Sequence, residues 1–172
     1  MIFDVYQWEQ EMYDGSTHTF EKVVRSDTVL VIPVTTDGKI IICEQEQPHR
    51  EKPYLSLISG RVEENETPED AAERELLEET GYEAEELILF DKQNHSHKID
   101  WTIYTYIAKM CKKVAEQKLD PGEKIRCDFV SFDQFIEILA QRKVDDTHLT
   151  VKALEAKLDS KKMSELKKLL AI

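Results

Sequence analysis

The first residues of the chain show a pattern of apolar and polar positions that is typical of extended strands. Residues 4–13 and 17–25 are rich in aromatic and β-branched side chains, and they flank the dipeptide Asp14-Gly15. Such segments on either side of Asp-Gly favour a β-hairpin with the dipeptide in a type I′ turn. We therefore expect an N-terminal hairpin.

Two stronger apolar segments follow the hairpin. Residues 28–34, TVLVIPV, and residues 39–45, KIIICEQ, are separated by a second Asp-Gly dipeptide. A shorter apolar segment, 54–58, leads into Gly60. Their lengths and their content of β-branched residues predict strands that end in a loop at the glycine.

A helix is predicted from residue 68 to residue 80. Thr67 can accept hydrogen bonds from the free amides of the first turn, and Pro68 at the first helical position loses no needed donor. Gly81 can adopt the left-handed conformation that commonly follows the last helical residue. Both ends of the helix are therefore marked in the sequence.

The rest of the chain interleaves strands with helices. Strands are predicted at 86–90, 100–108 and 125–132, and helices at 133–142 and 149–172. Together with the earlier elements, this pattern predicts an α+β (mixed α/β) fold built as a sandwich around a mixed sheet. We divide the chain into an N-terminal hairpin extension, 1–26, and a main domain, 27–172.

The composition places the chain among soluble globular proteins, with 41% hydrophobic and 34% charged residues. No apolar run is long enough to cross a bilayer, and the first ten residues lack the basic flank and apolar stretch of a secretory signal. We expect a cytoplasmic protein with no membrane partner.

Net charge and cysteine spacing exclude other classes. A formal net charge of −12 would repel polymeric nucleic acid, and it would also repel a small phosphate substrate unless cations stand in the site. Cys43, Cys111 and Cys127 are far apart and lack CxxC spacing. They indicate reduced core thiols rather than a disulfide framework or a zinc site.

Three carboxylates lie on one stripe of the predicted helix. Glu75, Glu78 and Glu79 stand at positions i, i+3 and i+4, so their side chains share one face. One interpretation is a solvated acidic surface, since acidic helix faces are common. The other is a magnesium site, because Mg²⁺ is usually held by a few carboxylates together with substrate phosphates.

The residues around this stripe favour the metal site. Gly60, Glu66, Arg74, the three glutamates and Gly81 form the pattern G60-x5-E66-x7-R74-E75-L76-L77-E78-E79-T80-G81-Y82. This pattern resembles the Nudix box at every defining position, with Tyr82 at a final position that is usually aliphatic. The segment is 23 residues long with many fixed positions, so the match is far more specific than a short motif.

The resemblance implies the Nudix fold, a mixed β-sheet between helices, and a loop–helix–loop that binds Mg²⁺ or Mn²⁺. Carried over position by position, it implies that Glu75 and Glu79 are the main metal ligands and that Glu78 is a third ligand or part of the base apparatus. The carbonyl of Ser59 would be a further ligand. Arg74 would orient a metal-binding glutamate, and Glu66 would support the loop.

The wider chain resembles the branch of ADP-ribose pyrophosphatases and nucleotide-sugar diphosphatases more than the branch that acts on nucleoside triphosphates, because of the hairpin before the core. In that branch a glutamate in the loop before the last core strand often acts as base. Glu123 is the best positional match here and Glu116 a weaker one. An ordinary loop charge after Pro121-Gly122 is the alternative for Glu123.

Candidate substrate-binding residues are less specific. The resembling branch usually has an aromatic residue, an arginine and then a proline after its second core strand. This chain has Gln45-Glu46-Gln47-Pro48 there, and Arg50 or Arg61 are the candidates to replace the missing arginine. Trp101 could stack on a base or be buried in its strand. His95 and His97 could contact phosphate or metal, although histidines in a polar loop are more often solvated.

The sequence therefore favours Mg²⁺-dependent hydrolysis of a nucleoside diphosphate linked to another moiety, such as ADP-ribose or a nucleotide sugar. The products would be a nucleoside monophosphate and a phosphorylated partner. Two alternatives are a house-cleaning pyrophosphohydrolase for nucleoside triphosphates and a nucleotide-sensing module that does not cut its ligand. The hairpin is also a candidate dimer contact, since an isolated two-stranded ribbon is marginal in water.

Overall fold

The computed structural model describes residues 2–48, 50–94 and 97–170. Within these ranges the strands are β1 Asp4–Glu11, β2 Thr17–Val24, β3 Thr28–Thr35, β4 Ile40–Glu46, β5 Tyr54–Ser56, β6 Ile58–Arg61, β7 Tyr82–Glu83, β8 Glu86–Asn94, β9 Ile99–Asp100, β10 Thr102–Lys113 and β11 Lys124–Val130. The helices are α1 Pro68–Thr80, α2 Phe132–Ala140, α3 Thr147–Leu158 and α4 Ser160–Leu170.

The main sheet is mixed. Its strands run in the order β11-β4-β3-β10-β7, with β5 paired to β4, β6 to β3 and β8 to β10. Strands β3 and β10 are parallel, while the β4–β11 and β3–β6 pairs are antiparallel. Mixed sheets together with four helices in the described ranges confirm the predicted α+β class.

Helices cover both faces of this sheet because strand side chains alternate. On β4, Ile40 and Ile42 pack into a cluster with residues of α2 and α3, including Phe135. Ile41 faces the other way, into a cluster that contains Leu76 of α1. The sheet is therefore sandwiched between α1 on one face and α2 and α3 on the other. In the part of the chain that the structure describes, no helix is long and apolar enough to span a bilayer.

The N-terminal hairpin forms, but its turn differs from the prediction. The Met12 N–H donates to the Ser16 carbonyl at 2.7 Å, which leaves a three-residue loop, and φ is positive at Gly15 but not at Asp14. A type I′ turn needs positive φ at both central residues, so that prediction is wrong. The loop instead places a single left-handed glycine before the second strand.

The hairpin belongs to a small sheet of its own. Strands β1, β2 and β9 form this three-stranded sheet, in which β2 and β9 run parallel. Lys22 of β2 also forms an ion pair with Asp100 of β9 at 2.6 Å. The division of the chain at residues 26 and 27 stays a prediction.

Two predicted boundaries in the last third shift by local capping. The strand predicted to reach residue 132 ends at Val130, because the Ser131 side chain accepts a hydrogen bond from the Gln134 N–H and begins α2. The long C-terminal helix is divided in two at Asp159, whose carboxylate accepts from the Lys161 N–H at 2.8 Å.

Candidate active site

Helix α1 forms over the predicted residues because both of its ends are capped. Thr67 accepts from the Asp70 N–H while the Asp70 carboxylate accepts from the Thr67 N–H, a reciprocal pair that satisfies two free donors. Gly81, at φ 76°, donates its N–H to the carbonyl of Leu77. The helix is thereby fixed at both ends, and the glutamates between them are held in place.

The three glutamates on this helix have very different environments. Glu79 is 4% exposed. The side chain of Glu75 is 15% exposed and that of Glu78 is 38% exposed. The stripe therefore runs from the solvated surface into the protein interior, which an ordinary solvated acidic face would not do.

Gly60 allows the loop before the helix to approach Glu75 closely. A Cβ atom built on Gly60 would lie 1.7 Å from Glu75 Oε1 and 1.9 Å from its Cδ. Any side chain at this position would displace the carboxylate. The absence of a side chain at residue 60 is therefore a requirement of this site's geometry.

Arg74 links four neighbours through one guanidinium. Its Nε and Nη2 donate to the two carboxylate oxygens of Glu66 at 2.8 and 3.0 Å. Its Nη1 donates to Glu75 Oε1 at 2.7 Å and to Glu78 Oε2 at 3.2 Å, and its Nη2 also donates to the Arg61 carbonyl at 2.9 Å. These hydrogen bonds raise the pKa of Arg74, and the bond to Glu66 has the largest effect. The same Glu66–Arg74 bond lowers the pKa of Glu66.

Glu66 also fixes the loop itself, as the sequence suggested. Its Oε2 accepts from the Glu63 N–H at 3.0 Å, so the carboxylate joins the loop backbone to Arg74. The Glu66–Arg74 pair therefore acts as a brace between the loop and the helix.

Glu79 is the most unusual group in the site. Its Oε1 accepts from the Ser59 N–H at 3.4 Å, while its Oε2 is buried without a hydrogen-bond partner among the described residues. Burial raises the pKa of this carboxyl well above its ordinary value, and repulsion from Glu75 raises it further. Burial likewise raises the pKa of Glu75, against the opposing effect of Arg74.

These carboxylates line a cavity of about 400 Å³. Its walls are formed by Ser59, Gly60, Arg61, Glu63, Arg74, Glu75, Glu78, Glu79, Lys118, Leu119, Asp120 and Glu123. Glu123 reaches this cavity from the loop before β11, and its charge raises the pKa of both Glu75 and Glu79. The structure therefore brings Glu123 together with the helix glutamates.

Glu116, the weaker candidate from the same loop, lies elsewhere. Its side chain is 90% exposed and pairs with Lys113 at 2.9 Å. It is absent from the lining of the acidic cavity as described. Of the two loop glutamates, only Glu123 is close enough to the other carboxylates to perturb them.

The donor set of the cavity fits a hard divalent cation. Carboxylate oxygens are the ligands that such ions prefer, and the unpartnered Oε2 of Glu79 is a buried acceptor that a cation would satisfy. Among the described residues no three acidic, histidine or cysteine side chains converge at ligating distance, and Arg74 holds Glu75 and Glu78 in its own hydrogen bonds. Glu75, Glu78 and Glu79 are the residues that would hold the ion.

A second, more apolar cavity of about 250 Å³ adjoins the first through Ser59, which lines both. Trp101 and Arg50, two candidates from the sequence, lie in its wall. The Trp101 Nε1–H donates to Thr28 Oγ1 at 2.9 Å, and the Arg25 guanidinium lies 4.2 Å from its ring centroid. Trp101 is therefore held in place by its neighbours while it contributes to the cavity wall.

The remaining candidates are divided between the two cavities and the surface. Arg61 lines the acidic cavity, and its carbonyl is the acceptor for Arg74. His97 is exposed, and His95 lies outside the described residues. The structure thus places Arg61 beside the carboxylates and Arg50 at the neighbouring cavity.

Sequence reasoning missed Tyr54, which lies in the wall of the apolar cavity. The Arg50 guanidinium stacks 4.0 Å from its ring centroid, and its hydroxyl donates to the buried Gln45 Oε1 at 2.9 Å. Burial raises the pKa of Tyr54, and the charges of Glu79 and Glu123 contribute to that rise. An aromatic residue in a strand looks like core, so the sequence carried no signal for this position.

Gln117 was also missed. Its Nε2 donates to the Glu79 carbonyl at 2.6 Å and to the Ile125 carbonyl at 3.2 Å, so it joins the end of α1 to strand β11. A glutamine in a polar loop gives no sign of such a contact. Its two hydrogen bonds form only when the loop that carries Gln117 folds back over α1.

Comparison with known proteins agrees with this geometry. Residues 24–151, well over half of the chain, match the NUDIX domain. The methanol dehydrogenase activator of Bacillus methanolicus is 30% identical over 143 residues, which cover 82% of this chain and 77% of that protein. The ADP-ribose pyrophosphatase of Bacillus subtilis (strain 168) is 29% identical over 147 residues, covering 84% of this chain and 80% of that protein.

A solved structure extends the likeness to the fold. The crystal structure of an ADP compounds hydrolase superposes with a TM-score of 0.74 at 19% sequence identity, covering 97% of this chain and 87% of the other. At this identity the likeness concerns the architecture alone. It includes the N-terminal hairpin, because nearly the whole chain is covered.

Proposed function

Because the chain belongs to the Nudix family and is a pyrophosphohydrolase of that family, we propose that it hydrolyses ADP-ribose or a closely related nucleoside diphosphate derivative in a Mg²⁺-dependent reaction. The products are a nucleoside monophosphate and a phosphorylated partner. The observation that carries the proposal is the buried Oε2 of Glu79, which has no hydrogen-bond partner among the described residues and lies in a cavity that also contains Glu75 and Glu123.

Side chains of α1 would hold the metal. Glu75 and Glu79 would supply carboxylate oxygens, Glu78 is the third candidate ligand, and the carbonyl of Ser59, which lines the same cavity, is the proposed further ligand. When bound, a divalent cation neutralises charge on the phosphate oxygens and lowers the pKa of a coordinated water. The chain itself has a formal charge of −12, so the cation also offsets the repulsion between the cavity and its substrate.

Glu123 is the proposed general base. It lies in the cavity but is not hydrogen-bonded by Arg74 as Glu75 and Glu78 are, so its carboxylate is available to take a proton from the attacking water. Arg74 is a positioning residue, because it orients Glu75 and Glu78 through its own brace with Glu66. Glu78 remains the alternative base.

The apolar cavity is the proposed site for a group attached to the diphosphate. Trp101 and Tyr54 supply apolar surface, and Ser59 connects this cavity to the acidic one. The Arg50 guanidinium lies over the Tyr54 ring at the same wall and is the proposed phosphate contact. This arrangement suits a substrate that spans both cavities, with its diphosphate between them.

A panel of substrates tests the proposal. We expect kcat/KM for ADP-ribose with Mg²⁺ to exceed that for a nucleoside triphosphate, because only the former has a second moiety for the apolar cavity. Mn²⁺ in place of Mg²⁺ should support part of this turnover. Preferred turnover of the triphosphate would support the house-cleaning alternative, and ligand binding without turnover would support the sensing alternative.

We also propose that the hairpin mediates a homodimer. Val5, Tyr6 and Trp8 of β1 are large apolar side chains left exposed, as are Ile2 and Phe3 just before it. Light scattering should give twice the mass of one chain. The double substitution Val5→Lys and Trp8→Lys should reduce it to a monomer, whereas a monomeric wild-type chain would end this proposal.

A further inference from the structure

Two cysteines far apart in sequence lie next to each other in the sheet, on the face that packs against α1. Cys43 of β4 and Cys127 of β11 are directly opposite each other in the antiparallel register, and their Sγ atoms are 3.3 Å apart. They are 84 residues apart along the chain. Both are free thiols in this structure.

The third cysteine has a different environment. Cys111 is buried, and its thiol donates to the Ala108 carbonyl at 3.3 Å. Cys43 is fully buried, while Cys127 is partly exposed. One member of the close pair can therefore be reached from solvent, and its partner stands next to it in the interior.

The pair also contacts the backbone of a proposed metal ligand. The Cys127 Sγ lies 3.7 Å from the Glu79 carbonyl, to which it donates, and Gln117 donates to the same carbonyl at 2.6 Å. Cys127 and Gln117 thus both hold the last turn of α1. Strand β11, which carries Cys127, begins directly after Glu123.

We propose that Cys43 and Cys127 are a reversible thiol–disulfide site whose oxidation alters the carboxylate cavity. The formation of the disulfide is independent of the function proposed above, whereas its effect on turnover rests on that function. The oxidant is a low-molecular-weight disulfide, RSSR.

The exchange proceeds in two steps. The sulfur of Cys127, as its thiolate, attacks one sulfur of RSSR, so that a mixed disulfide forms and the first thiol leaves. The sulfur of Cys43 then loses its proton and attacks the Cys127 sulfur, which releases the second thiol. In sum, two protein thiols and RSSR give one protein disulfide and two RSH.

Closure of the bond has two consequences for the site. A disulfide has an S–S distance of about 2.05 Å, so the sulfurs must approach from 3.3 Å, which displaces the side chains of Cys43 on β4 and Cys127 on β11. The Cys127 S–H donor to the Glu79 carbonyl is also lost. Both changes act on the turn that carries Glu79 and on the strand that follows Glu123.

Thiol counting in the full-length protein tests the disulfide itself. The reduced chain is equilibrated with mixtures of reduced and oxidised glutathione, and the free thiols are alkylated and located by peptide mass mapping. We expect two of the three cysteines to become protected together, with Cys111 left free. Three alkylated thiols throughout, a bridge that contains Cys111, or glutathione remaining attached as the end product would each overturn the proposal.

Variants provide matched controls for this experiment. Cys111→Ala should keep the same midpoint of oxidation as the wild type, because its thiol is not part of the pair. In the Cys127→Ser variant, the two remaining thiols should stay free in every mixture of reduced and oxidised glutathione. Since the wild-type measurement needs no substitution, a variant that fails to fold does not affect the outcome.

Turnover of ADP-ribose before and after oxidation tests the link to the site. We expect oxidation to lower kcat/KM on the order of tenfold, since displacements of about 1 Å in a catalytic site have large effects, and dithiothreitol to restore it. Cys127→Ser should be insensitive to the oxidant. Unchanged turnover in the oxidised wild type would contradict the link, while absence of turnover in both forms would refute the proposed function and leave the disulfide standing.

Discussion

Glu75 occupies the space that a side chain on Gly60 would need, since an added Cβ would lie 1.7 Å from its Oε1. The clash is with the flexible end of Glu75, so the carboxylate would move before the backbone does. We expect Gly60→Ala to lower turnover by on the order of a hundredfold with a much smaller loss of stability. Steady-state kinetics and thermal unfolding measure the two effects separately.

A double-mutant cycle isolates this contact. In a Glu75→Ala background the side chain that would clash is gone, so adding Gly60→Ala should cost little further activity. Equal losses in both backgrounds would mean that Gly60 matters for another reason.

Arg74 should not tolerate replacement by lysine. Its guanidinium makes two parallel bonds to Glu66 while it also holds Glu75 and Glu78, and an ammonium group cannot reproduce that geometry. We expect Arg74→Lys to weaken the binding of Mn²⁺ by roughly 10- to 100-fold, as measured by titration.

Arg126→Lys is the matched control for this substitution. Arg126 is 70% exposed and pairs with Glu44 and Asp128 on the surface of β11. Surface pairs of this kind contribute little, so metal affinity should stay unchanged. A comparable loss of affinity in the two variants would contradict the positioning role of Arg74.

Glu79→Gln should stabilise the metal-free protein while it abolishes metal-dependent turnover. The substitution removes a buried carboxyl group whose ionisation is opposed by burial and by the charge of Glu75. We expect the free energy of unfolding in EDTA to rise by roughly 1 to 2 kcal/mol near neutral pH. Urea unfolding monitored by circular dichroism would measure it.

The same substitution should change the pH dependence of stability. Because burial raises the pKa of Glu79, the folded protein binds a proton that the unfolded chain releases. The wild-type protein therefore loses stability as pH rises from the ordinary glutamate pKa to the raised one. The stability advantage of the variant should therefore grow as pH rises above the ordinary glutamate pKa of about 4.3 and toward the raised pKa of Glu79. If the stability advantage of the variant shrank as pH rose, ionisation of Glu79 would not destabilise the folded protein.

Glu123→Gln should lower kcat by on the order of a hundredfold or more and leave KM nearly unchanged, as expected for a general base. Glu116→Gln is the control, since Glu116 is in the same loop but pairs with Lys113 on the surface. If Glu123→Gln retains full kcat and Glu78→Gln does not, the base is Glu78.

Local signals in the sequence sufficed for the helix that carries the site. Thr67, Pro68 and Gly81 fix the ends of α1 through contacts within a few residues, so its bounds could be predicted. The brace between Glu66 and Arg74 is also a short-range contact, eight residues apart. Such features do not depend on how the rest of the chain folds.

Features that depend on strand pairing could not be predicted. The approach of Cys43 to Cys127 requires β11 to pair with β4 in one particular register, which no local pattern specifies. The contacts of Tyr54 with Arg50 and Gln45 likewise arise only when the sheet forms. The Asp14-Gly15 turn was mispredicted because the same dipeptide also suits a loop with one left-handed glycine.

The central claim is that a divalent cation held by α1 enables hydrolysis of a diphosphate linkage. Phosphorus NMR of ADP-ribose incubated with the chain, with Mg²⁺ and then with EDTA, tests it most directly. We expect the two diphosphate signals to be replaced by those of two phosphomonoesters only when Mg²⁺ is present, and to remain intact with the Glu79→Gln variant. Hydrolysis that continues in EDTA or in Glu79→Gln, or no hydrolysis under any condition, would contradict it.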